Sequence, residues 1–345
     1  MDRQIKYSKP IGDVSTEKSR IVEMEHALRK TVSEVTRNLE KFPRRQSCLL
    51  CGEAADSAEQ FFHRKVEFLR CSNCGHIQSF NVPTLEYDRI VSDSLGYSGI
   101  YPDTSKKDYD SRIQRVYEPK LAWMLEALGN EPQRLKDSAW LDIGCGTGSF
   151  LSALKEKGFS NYHGVDVDQH NLSIAQKYLG KDVVSESAKS VGEIIASTEA
   201  DVITAFFVLE HVEEMVEVVN ALRTKPKGTI FAIAVPTFSF ISLFEGFVEN
   251  HYPRSLDAMV HSQIYTEKSI DYLFSASGFE VLSEWIFGQD IADIHRFFEV
   301  GLAESYPENM RREFSSKFSK IIDPLQQIVD QAAFADSKHV LAVKK

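Results

Sequence analysis

The stretch Trp140-Leu-Asp-Ile-Gly-Cys-Gly-Thr-Gly-Ser-Phe150 decides the fold. Its first residues read as a short apolar strand, three glycines follow at alternate positions, and Ser149 opens a run with helical spacing. A strand that turns through glycines into a helix builds a nucleotide-type site. The glycines let the backbone turn sharply and let a ligand come close. That ligand sits by the helix N-terminus, at the carboxyl edge of the sheet. Two details separate this loop from a dinucleotide site. The sixth position of the G-x-G-x-x-G fingerprint is Ser149, and an acid, Asp142, stands at the strand end. An anionic pyrophosphate would be repelled there; a ligand with an amino group and a sulfonium would not.

Outward from the loop, strands and helices alternate. Residues 162–167 read as a second strand and 182–185 as a third. Residues 201–209 and the very apolar 228–235 read as the fourth and fifth. Helical spacing occupies 169–179, 215–222 and 266–277, the last with Thr266 as N-cap. Residues 279–287 and 339–343 complete the strands, with a helical stretch at 290–333 between them. This alternation predicts an α/β fold, a doubly wound, mostly parallel, seven-stranded Rossmann-like sheet with helices on both faces. Asp166 ends the second strand about 20 residues beyond the loop, where nucleotide folds set an acid on ribose hydroxyls.

Toward the N-terminus, residues 1–14 carry no pattern and are expected to form a loose arm. Ile21, Met24, Leu28, Val32, Val35 and Leu39 recur at helical steps, and Pro43 stops that helix. Next come Cys48-Leu-Leu-Cys51 and Cys71-Ser-Asn-Cys74, spaced as in a C-x2-C…C-x2-C zinc site. Four thiolates make a closed, structural site, whereas a catalytic zinc keeps an open position. Gly52 and Gly75 follow the two pairs, as tight knuckles require. Residues 61–70 between the pairs read as a strand, and His76 is expected outside the ligand set. The expected organisation is an arm and helix over 1–43, a zinc module over 44–80, a Tyr-rich connector or lid over 81–117, and a ligand-binding domain over 118–345 with a helical insertion at 290–333.

The formal net charge is -10, which argues against a broad nucleic-acid footprint. No apolar run reaches the roughly 18 residues of a membrane span. The N-terminus lacks the apolar core of a signal peptide. Paired cysteines suit a reducing compartment and a metal better than disulfides. A cytoplasmic location is expected.

Three motifs, in order, carry a family resemblance: Leu141-Asp-Ile-Gly-Cys-Gly-Thr-Gly148, Gly164-Val-Asp166 and Asp201-Val-Ile-Thr-Ala-Phe-Phe-Val-Leu-Glu-His-Val212. Over residues 118–345 the chain resembles the class I S-adenosylmethionine-dependent methyltransferases. The resemblance implies that Gly144, Cys145, Gly146 and Gly148 wrap the methionine part of that cofactor, with Asp142 near its amino group. It implies that Asp166, with Val167 beside it, binds the ribose. Glu186 and Ser187 then lie near the adenine, and Phe206 and Phe207 contact the cofactor. A cysteine knuckle and a Tyr-rich connector ahead of this domain resemble the sugar methyltransferases of deoxysugar and surface-glycan pathways. In those the knuckle is a scaffold and the connector helps close the site, which makes Tyr87, Tyr97, Tyr101 and Tyr109 candidates for lining it.

A sulfonium methyl is already activated, so the protein must align a nucleophile and exclude water. Transfer to a hydroxyl or an enolisable carbon also needs a base, and histidine has a suitable pKa. Two histidines qualify. His211 follows the fourth strand in Glu210-His211, with a packed strand-end role expected to lead. His261 lies in the segment after the fifth strand. Sugar C-methyltransferases carry a Glu-His pair there, with a tyrosine three residues before the histidine. Here His261 matches, while the other two positions are Val260 and Ala258, so O-methylation stands beside C-methylation. His251, Tyr252 and Arg254 are further candidates, Arg254 for a phosphate or carboxylate of the substrate. The expected acceptor is a small molecule, a sugar nucleotide or glycan, and a homodimer is possible. The alternatives are an RNA base methyltransferase that reads RNA with the knuckle, and a non-catalytic scaffold.

Overall fold

The computed structural model describes residues 3–13, 25, 29–30, 41–82, 105–129, 132–248, 251–256 and 261–345. The apolar positions expected to form a helix over 15–42, together with Tyr87, Tyr97, Tyr101, Ala258 and Val260, lie outside the described residues.

In chain order the strands are β1 (Gln4–Tyr7), β2 (Glu59–His63), β3 (Val66–Arg70), β4 (Ile77–Ser79), β5 (Trp140–Ile143), β6 (Tyr162–Asp166), β7 (Val184–Glu186), β8 (Val202–Phe206), β9 (Ile230–Pro236), β10 (Gln263–Ile264), β11 (Phe279–Ile286) and β12 (Ser337–Lys344). The helices that matter here are α1 (Lys106–Arg112), α2 (Glu118–Ala127), α3 (Pro132–Asp137), α4 (Ser149–Glu156), α5 (Gln169–Leu179), α6 (Val191–Ser197), α7 (Met215–Arg223), α8 (Phe240–Glu245), α9 (Glu267–Ser277), α10 (Asp290–Ser305), α11 (Glu308–Phe318) and α12 (Ile322–Gln331).

The large sheet has the order β1-β11-β12-β9-β8-β5-β6-β7. Strands β9, β8, β5, β6 and β7 run parallel, and β12 is antiparallel between β9 and β11. This is the expected doubly wound sheet. All seven residues of β9 are buried, which is why its sequence is continuously apolar: a central strand is covered on both faces. Thr266 caps α9 as expected, its hydroxyl accepting from the Ser269 amide at 3.2 Å. The helical stretch at 290–333 is the set α10 to α12.

Two expectations for the large sheet need correction. Residues 4–7 of the supposed loose arm form β1, an eighth strand paired in parallel with β11 from Gln4–Ser283 to Tyr7–Ile286. All four of its residues are exposed, so no alternation marks it; the pairing is through backbone, helped by Lys6 Nζ 4.2 Å from the Trp285 ring centre. The third strand is shifted to Val184–Glu186, because residues 181–183 form a tight helical turn.

The small sheet has the order β10-β4-β3-β2. The single strand expected over 61–70 is a hairpin, since Arg64 and Lys65 take φ values of 49° and 71° and reverse the chain in a two-residue turn. Its last strand, β10, comes from the segment between β9 and α9 and pairs antiparallel with β4. The cysteine module is therefore completed by residues almost 200 positions away. Its Cys48, Leu50, Cys71 and Cys74 share one apolar cluster with Met215, Tyr265, Ile270 and Leu273. The buried Arg45 guanidinium also clasps Glu213 with both terminal nitrogens, Nη2 at 2.9 Å, and donates through Nε to the Ser79 carbonyl. No described helix is long and apolar enough to cross a membrane.

Candidate active site and cysteine cluster

Gly144, at φ 67°, turns the chain out of β5; a Cβ there would lie 2.4 Å from Val208 Cγ2, so no side chain fits. Gly146, at φ 53°, is different: a Cβ would meet nothing within 4 Å, so its outer side is open to a ligand. Its amide donates to Asp166 Oδ2 at 2.7 Å, and the Asp168 amide donates to Asp166 Oδ1 at 2.8 Å. Two amides thus orient the Asp166 carboxylate, and each oxygen keeps a lone pair for a hydroxyl. Val167, next in the chain, is 76% exposed, a bare apolar surface that a flat base could cover. Glu186 ends β7 and accepts from Gln169 Nε2 at 2.9 Å, while the Ser187 amide donates to the Asp166 carbonyl. The glycine loop, Asp166, Glu186 and Ser187 lie along one edge, the carboxyl ends of β5, β6 and β7. The cradle fits a nucleoside joined to an amino acid.

Asp142 is buried within β5 and accepts from the Thr204 hydroxyl at 2.6 Å. Burial pushes its carboxyl up to about 7. Cys145 is also buried. Its sulfur lies against Gly164, where a Cβ would come within 2.8 Å, so the side chain packs inward and only its backbone faces the loop. Gly148 precedes α4. Tyr109 does not line an open pocket. It is buried, stacks on Tyr178 at 4.1 Å, and its hydroxyl contacts the Thr147 carbonyl and Ser152, which braces the glycine loop from behind.

At the end of β8, Phe206 is half-buried, whereas Phe207 is 42% exposed and sits at φ 57°. A bulky residue rarely adopts that conformation, and such strain clusters at functional sites. A tight turn at Leu209–His211 follows. His211 is exposed rather than packed, which corrects the strand-end role expected for it. Its ring centre lies 5.7 Å from that of His261, so the two candidate bases are neighbours. His261 Nδ1 donates to the Arg254 carbonyl at 2.9 Å. That bond places the proton of the neutral ring on Nδ1 and the basic lone pair on Nε2. Glu210 is 1% exposed, and burial pushes it up to about 8. The ligand atoms of Glu210, His211 and His261 lie within 4.8 Å of one another, so the trio could also hold a divalent cation.

The other candidates of this segment are taken up internally. Arg254, expected to meet a substrate anion, is held by Asp293, Nε to Oδ2 at 2.6 Å, and by Asp336. The His251 ring packs on Phe297 at 4.9 Å and lies 3.7 Å from a Glu25 oxygen. The Tyr252 amide donates to Glu25, which also pairs with Arg296. These residues fix the segment rather than line the site.

The four cysteines converge. Cys48 and Cys74 sulfurs are 3.6 Å apart, Cys51 and Cys71 3.5 Å, and all four lie within 4.8 Å of one another. A tetrahedral zinc with bonds of about 2.3 Å implies sulfur separations of about 3.8 Å. Amides of Leu50 and Cys51 reach the Cys48 sulfur, and Gly52 and Gly75 close the knuckles at φ 74° and 73°. The set fits zinc. His76 lies outside it, with Nε2 on Gln263 Oε1 at 2.7 Å; Gln263 in turn donates to the Val212 carbonyl at 2.6 Å. Module, His211 turn and His261 segment are therefore joined. Sequence reasoning missed this junction, since Gln263 and Glu213 carry no motif. It also missed Lys120, a buried lysine of α2 whose Nζ stands 5.0–5.2 Å from the ring centres of Tyr117, Phe206 and Phe207.

A family model described as a methyltransferase domain matches residues 109–284. Among curated proteins, a ubiquinone biosynthesis O-methyltransferase of Rickettsia bellii is 28% identical over 120 residues, covering 34% of this chain and 50% of that protein. Its counterpart from Paraburkholderia xenovorans is 33% identical over 97 residues, covering 26% and 41%. The chain spans about half the length, or less, of these curated relatives. Among solved structures, magnesium protoporphyrin IX methyltransferase from Synechocystis with bound SAH is 14% identical, covering 76% of this chain and 99% of that one at a TM-score of 0.44. An S-adenosylmethionine-dependent methyltransferase from Archaeoglobus fulgidus is 18% identical, covering 68% and 98% at a TM-score of 0.40.

Proposed function

This chain belongs to the methyltransferase-domain family, and from that premise we propose that it moves the methyl group of S-adenosylmethionine onto a hydroxyl or carbon of a small-molecule acceptor, with His261 as base. The observation that carries the base assignment is the Nδ1 bond to the Arg254 carbonyl, which leaves the ring's basic lone pair on Nε2. The cofactor supplies a methyl already activated on a positively charged sulfur. Gly144, Gly146, Gly148 and the Cys145 backbone hold its methionine part, with Asp142 near the amino group. Asp166 takes the ribose hydroxyls, and Val167, Glu186 and Ser187 border the adenine. Phe206 and Phe207 wall off water beside the sulfur. His261 accepts the acceptor's proton as its oxygen or carbon attacks, and His211 orients the acceptor beside it. Zinc on Cys48, Cys51, Cys71 and Cys74 is structural and steadies the segment that carries His261.

For the acceptor we favour a sugar, nucleotide-linked or part of a glycan. The resemblance of knuckle, connector and catalytic domain to sugar methyltransferases supports that choice. The ubiquinone names of the curated relatives belong to those proteins, of which this chain covers half or less. RNA is disfavoured by the charge of -10 and by the module's own arginines. Arg45 clasps Glu213, Arg70 pairs with Glu59 and Arg44 with Glu67. The test is His261→Asn. Turnover falls by about 10²–10⁴-fold, while affinity for the demethylated cofactor stays within twofold. A fully active variant removes His261 as base. A divalent cation on Glu210, His211 and His261 is the second reading, favoured by their mutual approach. Turnover that disappears on mild chelation and returns with magnesium or manganese selects it.

A further inference from the structure

We propose that Lys120, Lys9 and His339 form a buried subsite for an oxyanion, a carboxylate or phosphate carried by the methyl acceptor. The inference deepens the methyl-transfer reading and rests on it for the identity of the second ligand.

The three side chains come from distant parts of the chain. Lys9 follows β1, Lys120 lies on α2 and His339 on β12. His339 is 0% exposed, and neither ring nitrogen has a hydrogen-bond partner among the described residues. Its ring stacks on Phe287 at 4.7 Å and meets Phe206 at 6.2 Å and Phe207 at 5.8 Å. Lys120 is 3% exposed and makes no ion pair among the described residues; its ammonium stands against the same two phenylalanines. Lys9, 7% exposed, has Nζ 5.7 Å from the Phe287 ring centre and 5.8 Å from that of Trp285. The groups feel one another. After burial itself, the charges of Lys120 and Lys9 push the His339 ring down, and Lys9 does the same to Lys120.

Burying one cation without a partner is costly, and grouping basic groups adds repulsion. Buried polar nitrogens in native proteins are nearly always bonded. Aromatic faces offset part of the cost for the ammonium groups but accept nothing from the His339 nitrogens. The acid that bears on Lys120 is Asp142, whose carboxyl burial pushes up to about 7 and which is already engaged by Thr204. An oxyanion supplies what Lys120 and His339 lack among the described residues, a negative charge for the ammonium and acceptor lone pairs for the ring nitrogens.

Position assigns this anion to the acceptor. The sheet order β5-β8-β9-β12 sets the His339 strand three neighbours from the glycine loop, about 14 Å at the usual strand spacing. Phe206 and Phe207, at the end of β8, stand between. A ligand anchored on the β12 side faces the cofactor edge across Phe207.

The test uses the full chain saturated with the demethylated cofactor, with inorganic phosphate as probe, read by calorimetry and thermal denaturation. Lys120→Met weakens phosphate binding at least tenfold, Lys120→Arg restores it, and cofactor affinity stays within twofold. Without ligands, Lys120→Met melts at or above the wild-type temperature, because it removes an uncompensated buried charge. The proposal is overturned if Lys120→Met binds phosphate as wild type does, or if the wild type binds none. It is also overturned if Lys120→Met weakens the demethylated cofactor yet leaves 5′-methylthioadenosine untouched, for then the lysine serves the cofactor's own carboxylate. A wild type that binds phosphate but no demethylated cofactor would sink the methyl-transfer reading instead.

Discussion

Replacing Arg45 with Met tests whether the cysteine module is a working part of the active site. Arg45 has a side chain 4% exposed and meets Glu213, 31% exposed, through both terminal nitrogens. Breaking a fully buried ion pair costs about 3–5 kcal/mol. Water reaches Glu213 in the variant and recovers part of that, so the expected loss is about 2–3 kcal/mol. The cycle Arg45→Met, Glu213→Gln and the double variant, followed by urea denaturation, should return a coupling of about 1.5–3 kcal/mol. The effect on rate follows from Glu213's second contact. It accepts from the Ser262 hydroxyl at 3.2 Å, beside His261. Releasing it lets the base drift, and small misplacements of a catalytic group are expensive. Turnover should fall about tenfold in Arg45→Met while affinity for the demethylated cofactor holds, since Asp166 and the glycine loop lie on other strands. A coupling under about 0.5 kcal/mol with unchanged turnover would refute the module's role as a brace for His261.

Metal analysis should find one zinc per chain, lost in Cys71→Ser. Stripping it should unfold the β2–β4 sheet and abolish turnover while cofactor binding survives, because β10 loses its partner strand. Glu245 offers a pH signature. It is fully buried, accepts from the amides of Arg254 and Ser255, and burial pushes it from 4.5 up to about 7. The folded state therefore holds a proton that the unfolded chain releases, so its contribution to stability declines as pH rises from about 4.5 to about 7. The stability of Glu245→Gln relative to wild type should grow between pH 5 and pH 8; a flat difference contradicts the assignment.

The large sheet was legible because β5, β8 and β9 are buried strands whose apolar runs end in marked turns, while the partly buried β6 was marked by Gly164-Val-Asp166 at its end. The Asp166 carboxylate and the four cysteines were legible because local spacing carries their chemistry. What escaped was long-range. β1 is held by backbone pairing with four exposed side chains, and β10 is only two residues long. Arg254 reads as an exposed anion binder until Asp293 and Asp336 arrive from 39 and 82 residues downstream. His339 sits within Lys338-His-Val-Leu, where nothing local distinguishes a packed ring from one facing a ligand.

The central claim is that the glycine loop and Asp166 hold S-adenosylmethionine, and calorimetric titration with its demethylated product tests it most directly. Wild type should bind one equivalent. Asp166→Ala, which loses two charge-assisted bonds worth about 1.5–3 kcal/mol each, should bind at least 100-fold more weakly. No binding by wild type, or equal binding by Asp166→Ala, would contradict the account.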